Sequence, residues 1–182
     1  MKLGNQYIIP FKGLKEGDHE FDFEIGEAFF EEYSLTGIRT GMVHAIAMLK
    51  RRSSFLELEV SLDGTLSIQC DRCLEYFDFP LHFSGPLFVK FKEEPEEADD
   101  QVIFLHPDQD FLDMTQYFID SIGLSLPIQN FHPEDENGNT GCDPEMIARL
   151  NEHSIHELHL GEEIIDPRWE KLKNLLSDDN KN

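Results

Sequence analysis

The sequence predicts an α+β fold: a curved antiparallel sheet or partial barrel in the first two thirds, one main helix, and a short C-terminal helix. Three observations carry this. Apolar and polar residues alternate from Leu56 to Phe91, the period of a strand with one buried face. After Asp110 the apolar residues recur every three or four positions, the period of a helix. The composition, 40% hydrophobic with 15 Phe in 182 residues, can build a core and rules out wholesale disorder.

The elements follow in order. Tyr7 to Pro10 and His19 to Phe23 read as short strands around the turn at Lys15-Glu16-Gly17. Glu27 to Tyr33 makes a short helix with Phe29, Phe30 and Tyr33 inward. Met42 to Lys50 is apolar on both faces apart from His44, as in a central strand. Leu56, Leu58 and Val60 then face one way, and Glu57, Glu59 and Ser61 the other. Asp63-Gly64 invites a two-residue hairpin loop, which would set Val60 opposite Ser67. A three-residue loop, Leu62-Asp63-Gly64, pairs Val60 with Leu66, Leu58 with Ile68 and Leu56 with Cys70, with Gly64 at a left-handed position. That register is the expected one.

Phe77, Phe79, Leu81 and Phe83 alternate again, and Gly85-Pro86 is expected to break the run before Leu87, Val89 and Phe91. Residues 93–100 carry six carboxylates in eight positions, the pattern of a solvated acidic loop, with a docking tail as the alternative. Val102 to Leu105 is one more strand. Asp110 can cap a helix beginning at Phe111, with Phe111, Met114, Phe118 and Ile122 on one face and Gly123 ending it. Residues 133–143 read as a loop and 151–165 as a flexible linker. Asp166-Pro167 then opens a C-terminal helix over 166–176, where Trp169, Leu172 and Leu176 recur at helical spacing. With no internal repeat and no second core, 1–182 is expected to be a single domain.

The charge restricts function. Net charge is −22, which argues against a broad electrostatic grip on nucleic acid and favours basic partners. Cations are grouped locally at Lys50, Arg51 and Arg52, and again at Arg168, Lys171 and Lys173, so a local RNA contact stays open. No apolar run approaches the ~20 residues needed to cross a bilayer. The N-terminus lacks the pattern of a secretory signal, and three Cys suit no disulfide framework. A cytoplasmic protein with no membrane partner is expected.

Cys70-Asp71-Arg72-Cys73 is a C-x2-C pair in a strand-to-strand turn, a spacing that lets two thiolates face one tetrahedral ion. His132 and Cys142, flanking a Pro- and Gly-containing loop, can complete a Cys3His zinc site that clips the helical half to the sheet. The alternative is reduced thiols without metal. A thioredoxin-type pair fits less well, since it would open a helix after a strand. His153, His156 and His159 recur every third residue and can hold a catalytic zinc on a helix, or simply belong to a mobile linker. Phosphate-binding Gly loops, nucleophile elbows and H-E-x-x-H are absent from the sequence, so no enzyme and no small-molecule substrate are expected. Arg72 is either satisfied by carboxylates or a contact to RNA phosphate.

These residues together resemble the YceD family of large ribosomal RNA subunit accumulation proteins. Cys70-Asp71-Arg72-Cys73-Leu74 resembles the family's C-x-R-C-L element. Leu124-Ser125-Leu126-Pro127, His132-Pro133 and Cys142 resemble its L-x-L-P…H…C element. Asp166-Pro167-Arg168-Trp169-Glu170-Lys171-Leu172 is similar to its closing segment. The resemblance implies a non-enzymatic factor needed for accumulation of large-subunit (23S) ribosomal RNA, acting on an assembly intermediate. It also strengthens the grouping of Cys70, Cys73, His132 and Cys142. Some members carry a Cys-rich ribbon near the C-terminus, where this chain has the His153 to His159 stretch. The expected partner is a large-subunit ribosomal RNA precursor or a basic ribosomal protein, contacted through Arg72, Lys50, Arg51, Arg52 and Arg168. The readings from other classes are a metal-dependent hydrolase using the Cys/His or His-rich segment, and a zinc-stapled adaptor in another pathway.

Overall fold

Residue parity organises the sheet. In a computed structural model, which describes residues 6–154 except 53, 94–100, 135 and 137, three long strands each bury alternate positions. They are β3 (Ile38–Arg51), β4 (Phe55–Gln69) and β5 (Tyr76–Phe91). On β4 the even positions Leu56, Leu58, Val60, Leu62, Leu66 and Ile68 are fully buried; on β3 the odd positions Val43, Ala45, Ala47 and Leu49 are. On β5, Leu81, Leu87 and Val89 join them. Each fully buried Leu or Val contributes roughly 1.5–3 kcal/mol against leaving it in water, so a one-residue slip of any strand is strongly disfavoured.

These strands lie in a five-stranded sheet in the order β2-β3-β4-β5-β6, with β2 at Gly17–Ile25 and β6 at Val102–Leu105. The sheet is open rather than closed into a barrel. It is also mixed: β6 runs parallel to β5, with Phe88 opposite Val102 and Phe91 opposite Leu105, where an all-antiparallel sheet was expected. Ten residues, 92–101, separate the two strands, close to the shortest crossover that a parallel pair allows and far more than a two-residue hairpin needs. A second, two-stranded sheet pairs β1 (Ile8–Pro10) with β7 (Phe111–Asp113).

Four expectations are corrected. No hairpin forms at Leu62-Asp63-Gly64: β4 runs straight through it, with Gly64 between Val43 on β3 and Leu81 on β5. Gly64 is not left-handed; it is needed because a Cβ there would sit 2.2 Å from the Met42 carbonyl oxygen. Gly85-Pro86 does not interrupt β5 either. Pro80 and Pro86 fall before β6 begins at Phe88, where the outer edge of β5 asks for no main-chain donor. Met42 to Lys50 buries only one face, leaving Met42 66% and Met48 39% exposed.

The helix expected from Phe111 starts later. Phe111–Asp113 is drawn into β7, and α2 spans Thr115–Ser125, its first N–H bonded to the Asp113 carboxylate at 2.9 Å. Met114, Phe118 and Ile122 are buried as the spacing required, whereas Phe111 is largely exposed. Gly123 lies inside the helix, and Leu126, extended ahead of Pro127, ends it. Helix α1 (Glu27–Tyr33) buries Phe29 and Phe30. Tyr7, Phe29, Phe118 and Phe23 interlock edge-to-face at 5.3–5.9 Å between ring centres, joining both helices to the sheet.

A third helix, α3 (Pro144–His153), was not expected. Its signal was present: Asp143 bonds the Glu145 N–H at 3.0 Å and Pro144 fills the first helical position, the same Asp-Pro pattern read at Asp166-Pro167. Residues 151–153, assigned to the linker, are therefore helical. Met1–Ile147 forms one compact unit, and of the unit that begins at Ala148 the described residues are the end of α3 and Ser154. The rest of the expected linker, the helix expected over 166–176 with Trp169, and acidic residues 94–100 lie outside the described residues.

Candidate metal centre

The turn between β4 and β5 is shaped by its own main chain. Cys70 N–H bonds the Glu75 carbonyl and Leu74 N–H bonds the Cys70 carbonyl, both at 2.9 Å. Leu74 takes a left-handed φ of 64°, unusual for a side chain with a Cβ, to close the turn. Cys70 and Cys73 thereby point inward, and both are buried.

The second half arrives from the chain after α2. Asp71 clamps it at both ends of one residue: Asp71 N–H donates to the Asn130 carbonyl at 2.8 Å, and the Asn130 N–H donates to the Asp71 carboxylate at 2.6 Å. Two residues on, His132 stacks on Phe77 with ring centres 4.7 Å apart. Gly141 leaves room for that ring, since a Cβ there would lie 3.3 Å from His132 Cδ2. Buried Cys142 follows directly.

Cys70, Cys73, His132 and Cys142 each offer one ligand atom, and the four lie within 4.8 Å of one another. Cys70 Sγ and Cys142 Sγ are 3.8 Å apart. His132 Nδ1 is 3.5 Å from both Cys73 Sγ and Cys142 Sγ. A tetrahedral zinc with Zn–S of about 2.3 Å and Zn–N of about 2.0–2.1 Å requires separations of about 3.8 Å between sulfurs and about 3.5 Å from sulfur to nitrogen. These three spacings match it. Around them Phe77, Phe131, Met146 and Ile147 form a small apolar shell, which Phe77 joins to the main core.

Charge in this cluster is unevenly held. Burial alone would push the Cys70 thiol up, but hydrogen bonds from the main chain of Cys73, Arg72 and His132, and from the His132 ring, bring it from 9.0 down to about 6. Cys142 is pushed up, first by burial and then by the neighbouring Cys70 and Cys73, against a hydrogen bond from Thr140. Several buried thiolates repel one another unless a cation sits among them, and a coordinated thiol loses its proton outright. The donor set therefore fits a soft divalent ion.

The expected contact residues do not form one surface. Arg72 is exposed in the turn, its guanidinium stacked 4.1 Å over the Phe131 ring. Lys50 and Arg52 are exposed at the far end of β3, and Arg51 there is partly buried. Arg51 Nη1 donates to the carbonyls of Phe11 at 2.6 Å and Lys12 at 3.0 Å, and also to that of Leu14, clamping the β1–β2 connection. His153 ends α3; His156, His159 and Arg168 lie outside the described residues. Sequence reasoning missed Asp71, Asn130 and Phe131 as supports of the centre, since neither Asn130 nor Phe131 has a local pattern that marks it.

No curated protein and no solved structure matches the chain. The family model described as large ribosomal RNA subunit accumulation protein YceD matches residues 58–176, well over half of the chain. That stretch begins in β4 and includes all four members of the Cys/His cluster. The chain belongs to the YceD family of large ribosomal RNA subunit accumulation proteins.

Proposed function

We propose that this protein is a ribosome-biogenesis factor required for accumulation of large-subunit (23S) ribosomal RNA, and that it acts by binding an assembly intermediate rather than by catalysis. The observation that carries the reading is the family match over 58–176. The same four residues are proposed to hold one structural zinc. Four protein ligands fill a tetrahedral shell, whereas a hydrolytic zinc keeps one position open for water or substrate. The geometry thus favours a staple between the β4–β5 turn and the segment after α2 over the metal-dependent hydrolase.

The partner is proposed to be a large-subunit ribosomal RNA precursor or a basic ribosomal protein, and Arg72, Lys50, Arg51, Arg52 and Arg168 are the proposed contacts. The test is the ratio of large- to small-subunit ribosomal RNA, with precursors, in cells depleted of the protein. We expect a selective fall in the large-subunit species, restored by the wild-type chain. An unchanged ratio in cells lacking the protein would remove the functional reading and leave the fold and the metal centre standing.

A further inference from the structure

We infer that a cleft at the end of the sheet remote from the Cys turn binds a backbone phosphate of RNA; this rests on the ribosomal RNA reading above. The cleft is lined by Lys12, Arg51 and Arg52, with Gln109 and the apolar residues Phe11, Leu56, Phe91 and Pro107, and the Asp110 carboxylate pairs with Lys12 at its rim. Its volume is about 190 Å³. Small-molecule sites usually measure roughly 300–1,000 Å³, so this one suits a single phosphate with its base and sugar left outside.

Three features make it a prepared anion site. Arg51 is anchored by the three carbonyls that its Nη1 bonds, which fixes a guanidinium in the cleft before any ligand arrives. Lys12 is held at the rim by Asp110. Lys90, opposite Phe55 in the strand register, adds positive potential at the same end, whereas Lys50 stands between Asp18 and Glu57.

The contrast with the rest of the sheet matters as much. Glu20, Asp22 and Glu24 on β2, and Glu59 and Asp63 on β4, share the outer face, where an RNA strand would be repelled. A chain of net charge −22 can hold RNA only where its cations converge, and repulsion elsewhere sets the orientation. Phosphate contacts of this kind position an RNA and leave base recognition to other residues.

The test is filter binding of the full chain to a large-subunit ribosomal RNA transcript across a salt series, comparing wild type with Arg52→Glu and Lys12→Ala/Arg52→Ala. Arg51→Ala is avoided because it would release the clamp on residues 11–14. Thermal unfolding checks that the variants stay folded. Loss of the one phosphate contact on a single strand should lower the slope of log affinity against log salt by about 0.7 in the double variant. Wild-type affinity and slope in both folded variants would overturn the cleft. So would wild-type protein that retains no RNA, leaving a basic protein as partner. The two proposals fail differently. If depletion lowers large-subunit RNA and the double variant restores it while binding RNA like wild type, only the cleft is lost.

Discussion

At the candidate metal centre, Asp71 clamps two separate stretches of chain together. Its side chain and main chain hold Asn130 at 2.6 and 2.8 Å, and His132 follows two positions later. Removing groups that orient a ligand typically weakens metal affinity about 10–100-fold without changing the ligand set. Asp71→Ala should therefore still take up one zinc per chain but lose it to a competing chelator within that range. Unchanged affinity would mean that the segment after α2 is positioned by other contacts. Leu74 shows the opposite balance: its left-handed φ costs about 1–2 kcal/mol, yet the side chain stays 57% exposed. The residue types of the centre were readable from Cys70 and Cys73, because a C-x2-C spacing constrains two thiolates locally. The meeting with His132 and Cys142, expected from residue type and the family resemblance, is found, but the clamp that produces it was not legible, since it joins residues 59 positions apart.

Among the elements, β4 carries the clearest lesson. Asp63-Gly64 has turn chemistry, but Leu56 through Ile68 keeps even parity across it, which a continuous strand also satisfies. The long-range pairing with Val43 and Leu81 outweighs the local turn preference, and the glycine serves the close approach of β3. A methyl at Gly64 would lie 2.2 Å from the Met42 oxygen and 2.7 Å from Val43 Cα, both main-chain atoms with little freedom to move. Gly64→Ala should destabilise the fold by about 3 kcal/mol, at or beyond the upper end of ordinary overpacking. Denaturant unfolding measures it, and a loss below about 1 kcal/mol would mean that β3 and β4 separate easily at this point. The start of α2 has the same origin: β1 claims Phe111–Asp113 for strand pairing, a competition that no local periodicity records.

At the scale of the molecule, the described residues form two buried clusters bridged by Phe77: the main core under the sheet, and Cys70, Cys73 and Cys142 with their shell. Metal binding supplies folding energy chiefly to the elements it joins. Chelation should thus leave the strand signal of the sheet while all three thiols become reactive and thermal unfolding begins earlier. Cys142→Ser should reproduce this without chelator. A protein isolated without metal, whose three thiols react at once, would rule out the staple. Charge is distributed on the same scale, with acidic rows on the outer sheet face and cations gathered at the end remote from the Cys turn.

What the sequence alone determined was the class of the fold, the buried parity of β4 and β5, the inward face of α2 from Met114 to Ile122 and the chemical type of the candidate metal ligands. Those depend on periodicity and side-chain chemistry, which are local. Only the tertiary structure decided that β4 and β5 run unbroken, that β6 joins in parallel, that Asp71 brings His132 and Cys142 to the turn, and that Lys12 shares a cleft with Arg51 and Arg52. Each of these depends on which distant segments pair, and the free energy of that pairing exceeds the local preferences that a sequence displays.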